Sequence, residues 1–273
     1  FDAVKGALER GDISLGHITI TTDSTARTIT IVDDGGGMGL DTINKAFLTM
    51  AGTEKDTARA SGGLGIAKML FLLGNKTLRL ETVRDGKIHR METTGEQIAE
   101  ALDDGTLAPD IETRSTNAAP GTTVVVTIPE TYVDTDTEEV KNIGFPGDYE
   151  LRELIDSSPL FANIEVVFNG DARPVGARYE LNGLTLMTEV NFPAWGTARL
   201  LVRPNKYSSR GGNFNVLSEG LNQFSLGISK NPQEAWSGPV PYDFILNLEP
   251  TVKADSPRYP IALNRKDFSP SGK

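Results

Sequence analysis

The sequence predicts an α+β fold: helices laid on one face of a mixed sheet, followed by a second, strand-rich domain. Three observations lead there. Alternating strand patterns interleave with helical ones over roughly the first 170 residues. Beyond about residue 175 the helical patterns thin out, while Pro and Gly become frequent. A chain of 273 residues suits two domains better than one. The expected division is 1–175 and 176–273, with the boundary inside 172–182.

Val4, Ala7 and Leu8 have helical spacing and stop at Gly11-Asp12, so residues 1–10 read as the end of a helix. His17 to Thr21 and Thr28 to Val32 alternate as the arms of a β-hairpin. Asp33-Asp34-Gly35-Gly36-Gly37-Met38-Gly39 must be a loop, after which Asp41 is placed to N-cap a helix to about Met50. A polar, glycine-rich stretch then opens into an apolar helix, Ile66 to Leu73, closed by Gly74. Strands are expected at 76–83 and 87–93 around the turn Asp85-Gly86, then a short helix at 95–103. An irregular stretch to Pro120 precedes a strand over 121–128. Residues 130–148 read as an acidic loop or lid, Leu151, Leu154 and Ile155 as a helix, and 164–168 as a strand closed by Asn169-Gly170. In the second region strands are expected at 184–190, 197–202, 222–228 and 244–248.

Composition removes several function classes. With no cysteine, disulfide frameworks, Cys-zinc sites and thiol nucleophiles are excluded. The two histidines, His17 and His89, supply His-rich metal sites and Ser-His-Asp triads poorly, and neither has an evident carboxylate partner in the sequence. A net charge of −10 argues against binding nucleic acid by bulk charge, without excluding a local basic groove. The longest apolar run, Met69 to Leu73, is far too short to span a membrane, so no membrane association is expected and the cytoplasm is the expected compartment. Phe1-Asp2-Ala3-Val4 starts in mid-pattern, which reads as a fragment with further chain upstream, and the second domain reads as shortened after Phe268.

Two loops carry chemistry. An acidic residue ends a strand at Asp33, and the glycines behind it let the chain turn tightly against something flat. Such a carboxylate can accept a hydrogen bond from an exocyclic amine, as adenine offers; the same pattern also suits an ordinary Asp/Gly hairpin or a calcium loop. Gly62-Gly63-Leu64-Gly65-Ile66-Ala67-Lys68 leads into a helix N-terminus, where free N–H groups and the dipole favour phosphate and Lys68 adds charge. A flexible linker before a core helix reads equally well. The segment is neither a P-loop nor a dinucleotide fingerprint. Thr122, just inside a buried-looking strand, could bond a base, or Asp33 through water; most strand threonines are structural. Asp134 to Glu139 could attract a cation, but a solvated acidic loop explains it as well. The aromatic residues of the second region, Trp195 and Trp236 among them, read as packing.

Taken in order, the chain shows Asp-x-Gly-x-Gly-Met after a hairpin, then Gly52-Thr53-Glu54-Lys55, then Gly-x-x-Gly-x-Ala opening a helix, then Gly121-Thr122 starting a strand. In that order and spacing it resembles the GHKL ATPase superfamily, which joins type II topoisomerases, ninety-kilodalton heat-shock chaperones, sensor histidine kinases and MutL. The resemblance implies a Bergerat-type α/β sandwich and a transducer-like, ribosomal S5-like α+β domain after it. It implies that Asp33 binds the adenine amine, that Gly35, Gly37 and Met38 shape the base pocket, and that Thr122 supports Asp33 and the base. It also implies that the lid Gly62, Gly63, Leu64, Gly65, Ile66, Ala67 and Lys68 closes over the phosphates, with Thr53 and Lys55 near the nucleotide. ATP with Mg2+ is the implied ligand pair, an ATPase cycle in a homodimer the implied activity, and a protein client or DNA the implied further partner.

Of the family's Glu-x-x-x-Asn-x-x-Asp-Ala helix this chain holds only Asp2-Ala3, so the water-activating Glu and the magnesium-binding Asn are expected upstream and no metal ligand is assigned here. The segment Asp255 to Phe268 resembles the chaperones' middle domain, which makes Arg265 the expected catalytic arginine on the γ-phosphate and draws the chain towards the chaperone-like branch. Lys253 and Lys266 are the substitutes if a topoisomerase-type lysine fills that role. Two other readings stand beside this one: a non-hydrolysing interaction scaffold, and a DNA-handling clamp of the topoisomerase or MutL type.

Overall fold

The computed structural model describes residues 2–44, 74–103, 109–134, 137–156, 163–173, 186–204, 212–218, 221–228, 242–251 and 260. These belong to two compact units, one built from the described residues up to Arg152 and from Asn163 to Arg173, the other from Glu153 to Asp156 and the described residues beyond 185. The fold is mixed α+β, as predicted.

The first unit opens with α1 (Asp2–Arg10), which buries Val4 and Ala7. It ends as a Schellman motif: Gly11, at φ +75°, donates to Leu8 O and Asp12 donates to Ala7 O. β1 (Gly16–Asp23) and β2 (Thr28–Asp33) form the predicted hairpin. At the N-terminal end of β1, a Cβ on Gly16 would lie 2.1 Å from Val4 Cγ1, so this glycine lets α1 lie against the strand.

A single helical turn, α2 (Leu40–Thr42), follows the glycine loop. Gly39, in extended backbone, holds its N-cap position without a side-chain cap. Asp41 is therefore not the cap that was expected but sits inside the first turn, where its charge still favours the dipole. The expected course of this helix beyond Asn44 and the expected helix 66–73 lie outside the described residues.

β3 (Thr77–Arg84) and β4 (Lys87–Thr93) pair around Asp85-Gly86, whose φ values of 50° and 70° make the predicted tight turn. α3 (Gly95–Asp103) has the predicted bounds. Thr94 and Gln97 cap it reciprocally: Gln97 N–H donates to Thr94 Oγ1, and Thr94 N–H donates to Gln97 Oε1.

The stretch read as irregular before Pro120 contains a strand, β5 (Glu112–Ser115). All four of its residues are exposed and show no apolar alternation, so its backbone pairing with β4 left no trace in the pattern. β6 (Gly121–Thr127) is as predicted. The acidic stretch 130–148 is also more ordered than expected, for β7 (Thr131–Val133) pairs with β8 (Val140–Asn142). Lys141 binds Asp134 there, so that carboxylate serves the hairpin. α4 (Asp148–Asp156) follows, with Asp148 to Arg152 in this unit, and β9 (Ile164–Phe168) and the unforeseen β10 (Asp171–Arg173) complete it.

Its eight-stranded sheet runs β10-β9-β1-β2-β6-β3-β4-β5, with β1 and β9 parallel and every other pair antiparallel. Leu78, Leu80 and Met91 pack under Ile43, the C-cap residue of α2, and under Ile98 of α3, so both cover the same face. On the other face the charged residues pair across strands, Arg79 with Glu92 and Arg90 with Glu81. A sheet with one dry and one wet face requires this alternation.

The second unit holds β11 (Leu186–Phe192), β12 (Gly196–Pro204), β13 (Gly212–Ser218), β14 (Leu221–Ile228) and β15 (Tyr242–Pro250), in the order β11-β12-β15-β13-β14. Four of these were expected. β13 was missed although Phe214 and Val216 alternate with Asn213 and Asn215: the alternation is short, and a register shift between Val216 and Leu217 ends it. Trp195, Ala198, Val216 and Leu248 form one of its apolar clusters, and Leu201, Leu217 and Ile245 form another. Among the described residues no helix is long and apolar enough to cross a membrane.

Candidate functional site

The register of the first sheet sets the site. Ile18 faces Asp33 across β1 and β2, Asp33 faces Thr122 across β2 and β6, and Thr122 faces Thr82 across β6 and β3. Thr82 faces His89, and His89 faces Thr113. Cross-strand partners share a face, so Asp33, Thr122, Thr82 and His89 form one polar row on the helix-covered side. The next row along is apolar: Ile31, Val124, Leu80 and Met91. Thr82, His89 and Thr122 are buried in the polar row, and Asp33, at its end, is half-buried.

Asp33 ends β2, and its Oδ1 accepts the Gly35 N–H at 2.9 Å, which folds the loop back over the strand end. A Cβ on Gly35 would lie 2.7 Å from that oxygen and 2.9 Å from the Ala3 Cβ. A Cβ on Gly37, at φ +63°, would lie 1.9 Å from Val83 O. Both glycines therefore act by letting the loop press against α1 and β3. Met38 packs against the Leu78–Leu80–Met91 core, and its backbone N–H donates to Thr82 Oγ1 at 2.8 Å. Thr82 Oγ1 also lies 3.1 Å from Thr122 Oγ1 and 3.2 Å from Gly121 O.

Of the residues expected at the site, the structure thus brings together Asp33, Gly35, Gly37, Met38 and Thr122. Thr53, Lys55, Gly62, Gly63, Leu64, Gly65, Ile66, Ala67, Lys68 and Arg265 lie outside the described residues, as do Lys253 and Lys266. Two participants were missed. Thr82 looked like one more strand threonine, and only its register opposite Thr122 marks it. His17 was read as lacking a carboxylate partner, and it has two: its Nδ1 lies 2.7 Å from Asp34 Oδ2 and its Nε2 3.5 Å from Glu165. Asp34 also accepts the His17 N–H at 2.7 Å. These contacts pin the loop residue next to Asp33, and the 17-residue separation concealed them.

His89 is 4% exposed, and its Nδ1 lies 2.8 Å from Thr113 Oγ1. Burial, with a smaller contribution from the Lys87 charge, lowers its pKa from 6.5. Just below that value the unfolded chain binds more protons at this position than the folded one, so His89 makes stability fall on acidification below about pH 6.5. His89→Gln should remove that share. In urea titrations at about pH 8 and about pH 5.5 the parent should lose more stability than the variant. Equal losses would show that this imidazole does not govern the acid limb.

No family model matches the chain, and no curated protein matches it. Solved structures do. The ATPase region of Saccharomyces cerevisiae topoisomerase II superposes with a TM-score of 0.59 at 13% identity, over 97% of this chain and 73% of that one. The same region bound to ICRF-187 (dexrazoxane) gives 0.55 at 13% identity, over 90% and 70%. The ATPase and transducer domains of DNA topoisomerase II from Balamuthia mandrillaris give 0.52 at 15% identity, over 81% and 58%. At these identities the likeness is one of architecture, and on it the chain has the fold of the type II topoisomerase ATPase region.

Proposed function

We propose that the chain binds ATP through its first unit, with Asp33 accepting the adenine amine and Thr122 and Thr82 supporting it. The observation that carries this is the register placing Asp33 opposite Thr122, and Thr122 opposite Thr82, beside a loop that packs closely because of Gly35 and Gly37. Fold likeness to topoisomerase ATPase regions supports the same ligand, and it supports an ATP-driven, dimer-based clamp. The glycine segment 62–68 is assigned to the phosphates, with Thr53 and Lys55 near the nucleotide.

Hydrolysis in the intact protein is part of this proposal, as are the division at 175/176 and a cytoplasmic location. Arg265 is assigned to the γ-phosphate: Arg265→Ala should spare ADP affinity and slow turnover in a chain that hydrolyses ATP, and unchanged turnover would remove the role. The described residues include no group of three or more side chains suited to a metal, so magnesium is proposed as the nucleotide's companion and no ligand is assigned to it. The chaperone-like branch rests on the Arg265 segment alone. The topoisomerase-like folds favour a clamp, with DNA a more fitting partner than a protein client.

Calorimetric titration with ADP and a non-hydrolysable ATP analogue, with and without magnesium, tests the reading. Saturable binding is expected, and no heat with either nucleotide would refute it.

A further inference from the structure

We propose that His17, on the opposite face of the sheet from the pocket, positions the base-reading loop through Asp34. The inference rests on the nucleotide reading above and adds a positioning residue to it. Successive residues of a strand point to opposite faces, so Asp34 turns away from the face that carries Asp33. Asp34, His17 and Glu165 then make a second row, on the open face, drawn from the end of β2, from β1 and from β9.

The chain leaves the sheet at Asp34. Its N–H donates to His17 O at 3.3 Å, which carries the β1–β2 pairing one residue past Asp33. Two residues paired in this way ordinarily exchange both main-chain bonds. Here the return bond goes to a side chain: His17 N–H donates to Asp34 Oδ1 at 2.7 Å. That replacement lets the main chain turn away into the glycine loop. Asp34 Oδ2 lies 2.7 Å from His17 Nδ1, and because a carboxylate only accepts, Nδ1 carries the proton. One residue therefore holds both Asp34 oxygens, and the main-chain bond, long at 3.3 Å, is the weakest of the three. One position on, Gly35 N–H donates to Asp33 Oδ1 at 2.9 Å. The peptide between Asp34 and Gly35 is thus fixed by His17 on the open face and by Asp33 on the pocket face. Removing the imidazole loosens that peptide. The Gly35 N–H then drifts from Asp33, and the carboxylate loses the orientation in which it meets the adenine amine. His17 itself does not touch the nucleotide.

The test is calorimetric titration of the full chain with ADP, with circular dichroism as the folding control. His17→Ala should weaken ADP about fivefold, a modest loss because the bond, though to a charged group, is part exposed. His17→Asn puts an amide N–H where Nδ1 stood and should return affinity to within about twofold of the parent. His17→Gln reaches instead towards Glu165, which lies 3.5 Å from Nε2, and should bind as weakly as His17→Ala. In an Asp34→Ala background, His17→Ala should cost nothing further, whereas packing independent of Asp34 would add its full effect. If His17→Ala does not fold, His17→Gln, which keeps a polar side chain, carries the same expectation. Any one of three results overturns the role of His17 and leaves the pocket standing: affinity in folded His17→Ala equal to the parent's, His17→Asn no better than His17→Ala, or additive losses in the double variant. No ADP binding by the parent chain overturns the pocket, and the role of His17 with it.

Discussion

Asp33→Asn should abolish adenine-nucleotide binding while leaving the protein folded. The substitution is nearly isosteric. Asn keeps an oxygen for the Gly35 N–H that Asp33 Oδ1 now accepts at 2.9 Å, so the loop over the strand end has no reason to open. What changes is the rest of the group. A carboxylate only accepts hydrogen bonds, whereas the amide must aim an NH2 at one of the two directions, and the loop N–H already claims the oxygen. The adenine amine would then face a donor. Losing a charged acceptor and gaining a donor–donor contact costs on the order of 3 kcal/mol, at least about a 100-fold loss of ADP affinity. Titration of the parent and the variant, with circular dichroism as the folding control, decides the matter. A variant that binds within threefold of the parent would show that Asp33 is not the base-reading group.

Most of this site was readable because its chemistry is local in sequence. Asp33, Gly35, Gly37 and Met38 lie within six residues, and the sharp turn they need can be inferred from glycine alone. Thr122 was readable because Gly121 marks the start of its strand. Thr82 was not, because its role depends on the register of β3 against β6, which brings residues 82 and 122 to one rung. The same holds for Asp34 with His17, and His17 with Glu165, where two strand pairings bring together groups that sequence spacing keeps apart.

The fold divides in the same way. Strands with one buried face, such as Leu78 to Val83 and Ile164 to Phe168, signalled themselves by alternation. Of the misses, β5, β10 and the β7–β8 hairpin are exposed edges or short ribbons held by backbone hydrogen bonds, to which any sequence can contribute, whereas β13 lies inside its sheet between β15 and β14. α3 was expected and found, and Thr94-x-x-Gln97 before its apolar-periodic run is a second helix-start signal for it. The cap at α2 went to Gly39 over Asp41 because an N-cap needs an extended backbone more than it needs a polar side chain, and the chain is extended at Gly39.

Gly37→Ala should damage both stability and binding, whereas Gly36→Ala, one residue away, should damage neither. At Gly36 the nearest atom to a new Cβ is Arg10 Nη2, at 2.9 Å, the far end of a long side chain that can swing aside. At Gly37 the nearest atoms are the Val83 carbonyl oxygen at 1.9 Å and its carbon at 2.8 Å, main chain held in β3 by pairing with both β4 and β6. The φ of +63° adds a penalty of its own for any residue with a Cβ. Left-handed backbone and overpacking together should cost roughly 2–5 kcal/mol, read as a shift in the urea midpoint. The binding loss follows by a separate route. Relieving the clash moves residue 37 away from β3 and draws the Met38 N–H off Thr82, so the loop that folds back over the Asp33 strand end is displaced. ADP affinity should therefore fall even at temperatures where Gly37→Ala remains folded. If the two alanine variants unfold at the same urea concentration, the loop does not press on β3 as described, and the account of why this position must be glycine fails.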